Sequence, residues 1–173
     1  MQNTTATRRW SELKGLAAVT INTGQKAGTI DDFYFNSQGN SVPALRIKTS
    51  LIGHRVLLSG NINAIGVDAV TFADPDHLIK ENDDELIKTL PVGSTMLSYR
   101  VLSQGGTVIG TIGNIVLDIS TPGALKVVAF ELSAGLRARI SGHYPTFDAA
   151  QVTQFGRDVI VVPDAISEAL QKD

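Results

Sequence analysis

Only one segment of this chain gathers residue types suited to recognition chemistry: Leu136-Arg137-Ala138-Arg139-Ile140-Ser141-Gly142-His143-Tyr144-Pro145-Thr146-Phe147. It brings together two Arg, a His and two aromatics, and Arg with aromatic residues anchors the centres of protein interfaces. Arg137, Arg139, His143 and Tyr144 are therefore the candidate protein-contact residues. The competing reading is an ordinary amphipathic strand, with solvated Arg heads and Phe147 in the core. Catalytic chemistry finds less to use. Asp31-Asp32 are neighbours that a regular strand points to opposite faces, which does not favour a paired-carboxylate mechanism. His54, His77 and His143 are dispersed; Asp74-x-Asp76-His77 alone offers oxygen and nitrogen donors on one loop, where a solvated turn is the simpler account. No nucleophile elbow is present. With no Cys, disulfides and thiolate chemistry are excluded. Gly24-x3-Gly28 and Gly105-Gly106-x3-Gly110 lack the Lys-Ser/Thr of a phosphate loop and lead into strands, so no helix N-terminus backs them. No catalytic, cofactor-binding or metal-binding residue is expected, and the chain does not read as an enzyme.

The elements that would carry the contact segment are written twice. Gly24-Gln25-Lys26-Ala27-Gly28-Thr29-Ile30-Asp31-Asp32-Phe33-Tyr34-Phe35-Asn36 corresponds to Gly106 through Asp118, 82 positions on (106 − 24). Val42-Pro43-Ala44-Leu45-Arg46-Ile47 lies on Leu125-Lys126-Val127-Val128-Ala129-Phe130. Ile62 through Val70 lies on Val152 through Ile160. Three blocks in the same order argue for a duplicated module, which sets the fold.

Alternating Val, Ile, Thr and aromatic residues between Gly, Asn, Ser and Pro predict short strands. They are placed near Ala17 to Ile21, Ala27 to Asn36, Val42 to Thr49, His54 to Leu58 and Val67 to Ala73. Their counterparts are Tyr99 to Leu102, Ile109 to Asp118, Leu125 to Leu132, Ala138 to Ser141 and Asp158 to Pro163. Ile30, Phe33 and Phe35 change parity, as do Ile112, Ile115 and Leu117. One core can collect each set only across an extra residue, which predicts a β-bulge near Asp31-Asp32 and another near Gly113-Asn114. A short helix capped by Asn82 is expected to end near Leu90-Pro91, and another to start at Asp164. Residues 1-9 read as a solvated arm. Formal charge is −2 and the pI about 5.9, giving no electrostatic reason to expect nucleic acid as partner. No stretch has the length and apolarity of a membrane span, and the start lacks the apolar run of a signal peptide, so a cytoplasmic location is expected.

The pattern Gly-x3-Gly-x-Ile-x-Asp, then strand, Gly-bearing turn, strand, and a closing Ile65-Gly66-Val67-Asp68-Ala69-Val70, resembles the PRC-barrel family. It is met again from Gly106 to Asn114 and from Phe155 to Val162. The resemblance implies an all-β fold of two tandem small antiparallel β-barrels: residues 10-81, a linker with a short helix at 82-93, and residues 94-166. It further implies a non-catalytic docking module, as in the soluble part of the photosynthetic reaction-centre H subunit and the C-terminal domain of the ribosome maturation factor. The expected function is a non-enzymatic protein-binding adaptor or assembly module without cofactor, its partner a protein, a second copy of the chain included. The alternative is a ribosome- or RNA-associated assembly factor.

Overall fold

The computed structural model describes residues 6–133 and 144–171. These are all-β apart from two short helices and several 3-10 turns. They fall into two compact units: the chain up to Ser94 together with Leu117–Lys126, and Thr95–Val116 together with Val127 onward.

In the first unit, β1 (Thr7–Arg9) runs straight into a single helical turn, α1 (Trp10–Leu13). There follow β2 (Ala17–Thr20), β3 (Gln25–Asn36), β4 (Ser41–Lys48), β5 (His54–Leu58), β6 (Ile62–Ile65), β7 (Ala69–Phe72) and β8 (Leu78–Ile79). Their order in the curled sheet is β6-β7-β2-β3-β4-β5-β8. The pairing is not wholly antiparallel as expected. β2 and β7 run parallel, Ala17 opposite Ala69 through Thr20 opposite Phe72. A parallel pair needs a long crossover, which the intervening hairpins supply. The strand β6 was not foreseen, because Ile62-Asn63-Ala64-Ile65 is only four residues long and does not alternate.

The register of β3 against β4 breaks between Ile30 and Asp32, so the bulge expected at Asp31 is present. Beyond it Phe33 and Tyr34 point to opposite faces, and both are fully buried. Phe33 meets the edge of Trp10 at a ring-centroid distance of 5.0 Å. Tyr34 packs with Ala44, Val56 and Ile87, and Leu58, Ile79, Leu90 and Val92 close over this second cluster. Burying aromatic and aliphatic side chains on both faces of one strand contributes roughly 1.5–3 kcal/mol for each.

The second face of β3 is covered by the segment following β8, where the expected short helix takes 3-10 form. It makes 3-10 turns at Glu81–Asp83 and Ile87–Thr89. Asp84, not Asn82, caps the latter: its Oδ1 accepts from the N–H groups of Leu86 and Ile87, each at 3.0 Å. The chain is then drawn out along β3, with Phe35 N–H donating to Pro91 O at 3.0 Å and a bridge between Tyr34 and Val92. The capture of Pro91 and Val92 by β3 draws the end of the segment into extended form. Nor is the start of the chain a solvated arm throughout. Thr7–Arg9 is a strand, the Ile119 N–H donates to Ala6 O at 2.9 Å, and the Arg8 guanidinium donates to Gly66 O.

The second unit holds β9 (Arg100–Ser103), most of β10 (Val108–Asp118) and β11 (Lys126–Leu132), β12 (Thr146–Asp148), β13 (Gln154–Phe155), β14 (Val159–Val162) and α2 (Asp164–Gln171). Strand order is β13-β14-β9-β10-β11, with β12 on β11, and β14 runs parallel to β9. Phe130 sits directly opposite Phe147 and lies 5.7 Å from its ring and 6.2 Å from that of Phe155. The helix begins at Asp164 as expected, and Asp164 Oδ1 accepts from Gly105 N–H at 2.8 Å. The strand expected at Ala138 to Ser141 lies outside the described residues.

Candidate protein-contact site

Of the four contact candidates, Arg137, Arg139 and His143 lie outside the described residues. Tyr144 is half-buried, and its carbonyl accepts from Thr146 Oγ1 at 2.8 Å. The chain that follows is firmly placed. Leu132 N–H donates to Pro145 O at 2.8 Å, and Phe147 is buried against Phe130. Phe147 thus belongs to the core, while Tyr144 stands at the point where the chain joins the sheet edge.

The acidic segment after β8 is structural in the main. The Tyr34 hydroxyl donates to Glu81 Oε2 at 3.0 Å, Lys80 N–H donates to Asp83 Oδ2 at 3.2 Å, Asp84 caps a turn, and Glu85 pairs with Lys88 Nζ at 2.7 Å. Burial pushes the Tyr34 phenol well above its ordinary value, and the hydrogen bond and charge of Glu81 push it further.

Beside it sits a polar cluster that strand alternation did not foresee. The bulge at Asp31 turns both neighbouring carboxylates towards Arg46, whose Nε lies 2.8 Å from Asp31 Oδ1 and whose Nη2 lies 3.8 Å from Asp32 Oδ2. The expectation that the two would face apart therefore fails, because the extra residue resets the alternation. Burial works against the Arg46 charge. The hydrogen bond and charge of Asp31, with Asp32 and Tyr34 adding, nevertheless hold the guanidinium above its ordinary value. Asp32 is buried and accepts from Phe33 N–H at 2.9 Å, Ser94 N–H at 3.0 Å and the Ser94 hydroxyl. Its lone pairs are thus taken by fixed donors within the fold, so the carboxylate is a clamp that fastens Ser94 onto β3 and not a poised base. Gly93 makes the fastening possible, since a Cβ there would come within 2.0 Å of the Phe33 ring.

Asp74, part of the one conceivable donor loop, accepts from Asn22 Nδ2 at 2.9 Å. Among the described residues no three His, Asp or Glu gather into a group able to hold a metal, and no helix is long and apolar enough to cross a membrane.

Several positions aligned in the sequence blocks make similar local bonds. Gly24 and Gly106 both take positive φ, at 66° and 93°. Asn36 Oδ1 accepts from Gln38 N–H at 3.0 Å, as Asp118 Oδ1 accepts from Ser120 N–H at 2.9 Å. The Ser120 hydroxyl and amide hold the Asp118 carboxyl below its ordinary value. Gly66 N–H donates to Ala69 O and Gly156 N–H to Val159 O, each at 2.8 Å.

Compared with models of protein families, the chain matches the one described as PRC-barrel domain over residues 7–78. No curated protein matches it.

Proposed function

Because residues 7–78 form a domain of the PRC-barrel family, a family of non-catalytic domains, we propose that the chain is a non-enzymatic adaptor that docks protein through two such barrels. The observation that carries this reading is the repeated pairing order. β2 is flanked by β3 and by a parallel β7 that continues to β6; β9 is flanked by β10 and by a parallel β14 that continues to β13. Two similar docking surfaces on one chain raise the effective concentration of the second contact once the first is made. The contact surface is assigned to Arg137, Arg139, His143 and Tyr144, with a protein as partner, a second copy of the chain included. The carboxylates nearest to a catalytic arrangement, Asp31 and Asp32, are engaged by Arg46 and Ser94, which supports the non-enzymatic reading.

The reading is tested by size-exclusion chromatography with light scattering on the full chain, alone and mixed with fractionated extract of the source cells. A stoichiometric complex formed by the chain and abolished in the Arg137→Ala, Arg139→Ala variant supports it. A complex that survives both substitutions removes the assigned surface.

A further inference from the structure

The loop joining β4 to β5 places Leu51 and Ile52 side by side with 93% and 97% of their surface in water. No other apolar side chain among the described residues approaches this except Val67, which stands alone in another turn. Two adjacent aliphatic residues at a tip are costly to leave solvated, and nothing in the local fold demands them there. The loop is well built. Thr49 N–H donates to Gly53 O at 2.9 Å, Ser50 N–H to the same oxygen at 3.3 Å, and Gly53 N–H to Ser50 Oγ at 2.9 Å. The backbone thus turns its polar groups inward and projects the two side chains beyond the end of the sheet.

The base of this tip is positive. Lys48 and His54 are opposite one another in the β4–β5 register and so share a face; both are exposed, and Arg55 follows, half-buried. Between Asp32 and Asp68 the chain has Arg46, Lys48 and Arg55 and no Asp or Glu, although its formal net charge is −2. On adjoining segments Asp31 is ion-paired with Arg46, and Glu81 accepts from the Tyr34 hydroxyl.

We propose that the β4–β5 loop is a membrane-surface wedge, inserting Leu51 and Ile52 among the acyl chains of an anionic bilayer while Lys48, His54 and Arg55 meet its headgroups. Charge complementarity favours lipid as the occupant, since cations below an apolar tip match negative headgroups above hydrocarbon. Size argues the same way. A specific protein partner covers about 800 Å² on each side, far more than two side chains offer, whereas insertion into lipid gains from each side chain separately. Contact of this kind is peripheral and requires no membrane span.

The test is flotation of the full chain with vesicles of phosphatidylcholine alone or containing about 30% phosphatidylglycerol, the anionic component that juxtaposed Lys and Arg would sense. Expected are flotation with the anionic vesicles, loss of about tenfold or more in partitioning for Leu51→Ser, Ile52→Ser, and a comparable loss for Lys48→Glu, Arg55→Glu. All four positions are at least partly exposed, so circular dichroism should be unchanged. Since the chain has no Cys, Ile52→Cys carries a single environment-sensitive fluorophore, whose emission should shift to the blue on the anionic vesicles. Failure of the unsubstituted chain to float, or equal flotation of the Ser variant, overturns the proposal. So does a change of oligomeric state in the Ser variant without vesicle binding, which would make the tip a contact between copies.

Discussion

Asp32 and Asn114, 82 positions apart (114 − 32), make the same bond: each side-chain Oδ1 accepts from the N–H of the following residue, at 2.9 Å in both cases. Both are buried, within strands β3 and β10, where a polar side chain would otherwise be costly. Each is flanked by a buried apolar pair, Ile30 and Phe33 in one strand and Ile112 and Ile115 in the other. In β3 the bond sits at the register break between Ile30 and Asp32, and at both positions it gives a buried short polar side chain a partner. The two sites differ in charge. In the first, the carboxylate also takes two donors from Ser94.

That difference predicts unequal responses to substitution. Asp32→Ala leaves buried donors of Phe33 and Ser94 without an acceptor and should cost about 2–4 kcal/mol. Asp32→Asn keeps one acceptor oxygen, as Asn114 does, and should cost clearly less. Urea unfolding of the two variants checks the order; equal losses would mean that charge, not acceptor geometry, holds Ser94.

Gly93 against Phe33 gives a steric prediction. Its absent Cβ would fall 2.0 Å from the ring, so Gly93→Ala should destabilise by about 1–3 kcal/mol or more through overpacking. At Gly60 nothing lies within 4 Å of the same atom, and Gly60→Ala should stay within about 0.5 kcal/mol of the unsubstituted chain. Thermal melts of both separate close approach from a general intolerance of Ala.

Tyr34 makes stability sensitive to alkali. Burial, then its bond to Glu81, raises the phenol above its ordinary value of 10.0, so the fold favours the protonated form. The contribution is complete below that ordinary value and is lost as pH rises from there towards the folded value. Tyr34→Phe should lower stability at neutral pH by roughly 1 kcal/mol through the lost hydrogen bond, yet decline less steeply above pH of about 10. Parallel slopes for the two proteins would contradict the assignment.

The sequence was most legible where spacing and turn chemistry act locally. The parity change after Ile30 announced the bulge at Asp31, and Asp164 announced its helix. Legibility failed where distant residues decide. The run after Asn82 has good helix signals, but Pro91 and Val92 are captured by β3, whose own sequence says nothing of that pairing. Arg46 and Ser94 gave no sign of meeting Asp32, because partners 62 residues apart, as Ser94 and Asp32 are, leave no periodic trace. The parallel β2–β7 pair was missed for the same reason. Of the four contact candidates, only Tyr144 is among the described residues, and the bond of its carbonyl to Thr146 was not written in the spacing.

The central claim, docking of protein by a non-catalytic chain through the Arg137 to Tyr144 segment, is most directly tested by quantitative affinity capture. The tagged full chain and its Arg137→Ala, Arg139→Ala variant are compared from the same source-cell extract, with matched melting curves as the control for folding. One or a few proteins should be retained in near-stoichiometric amounts by the unsubstituted chain and fall by about tenfold or more in the variant, as expected for loss of Arg hot spots. Equal retention by both proteins, or no stoichiometric partner for either, would contradict it.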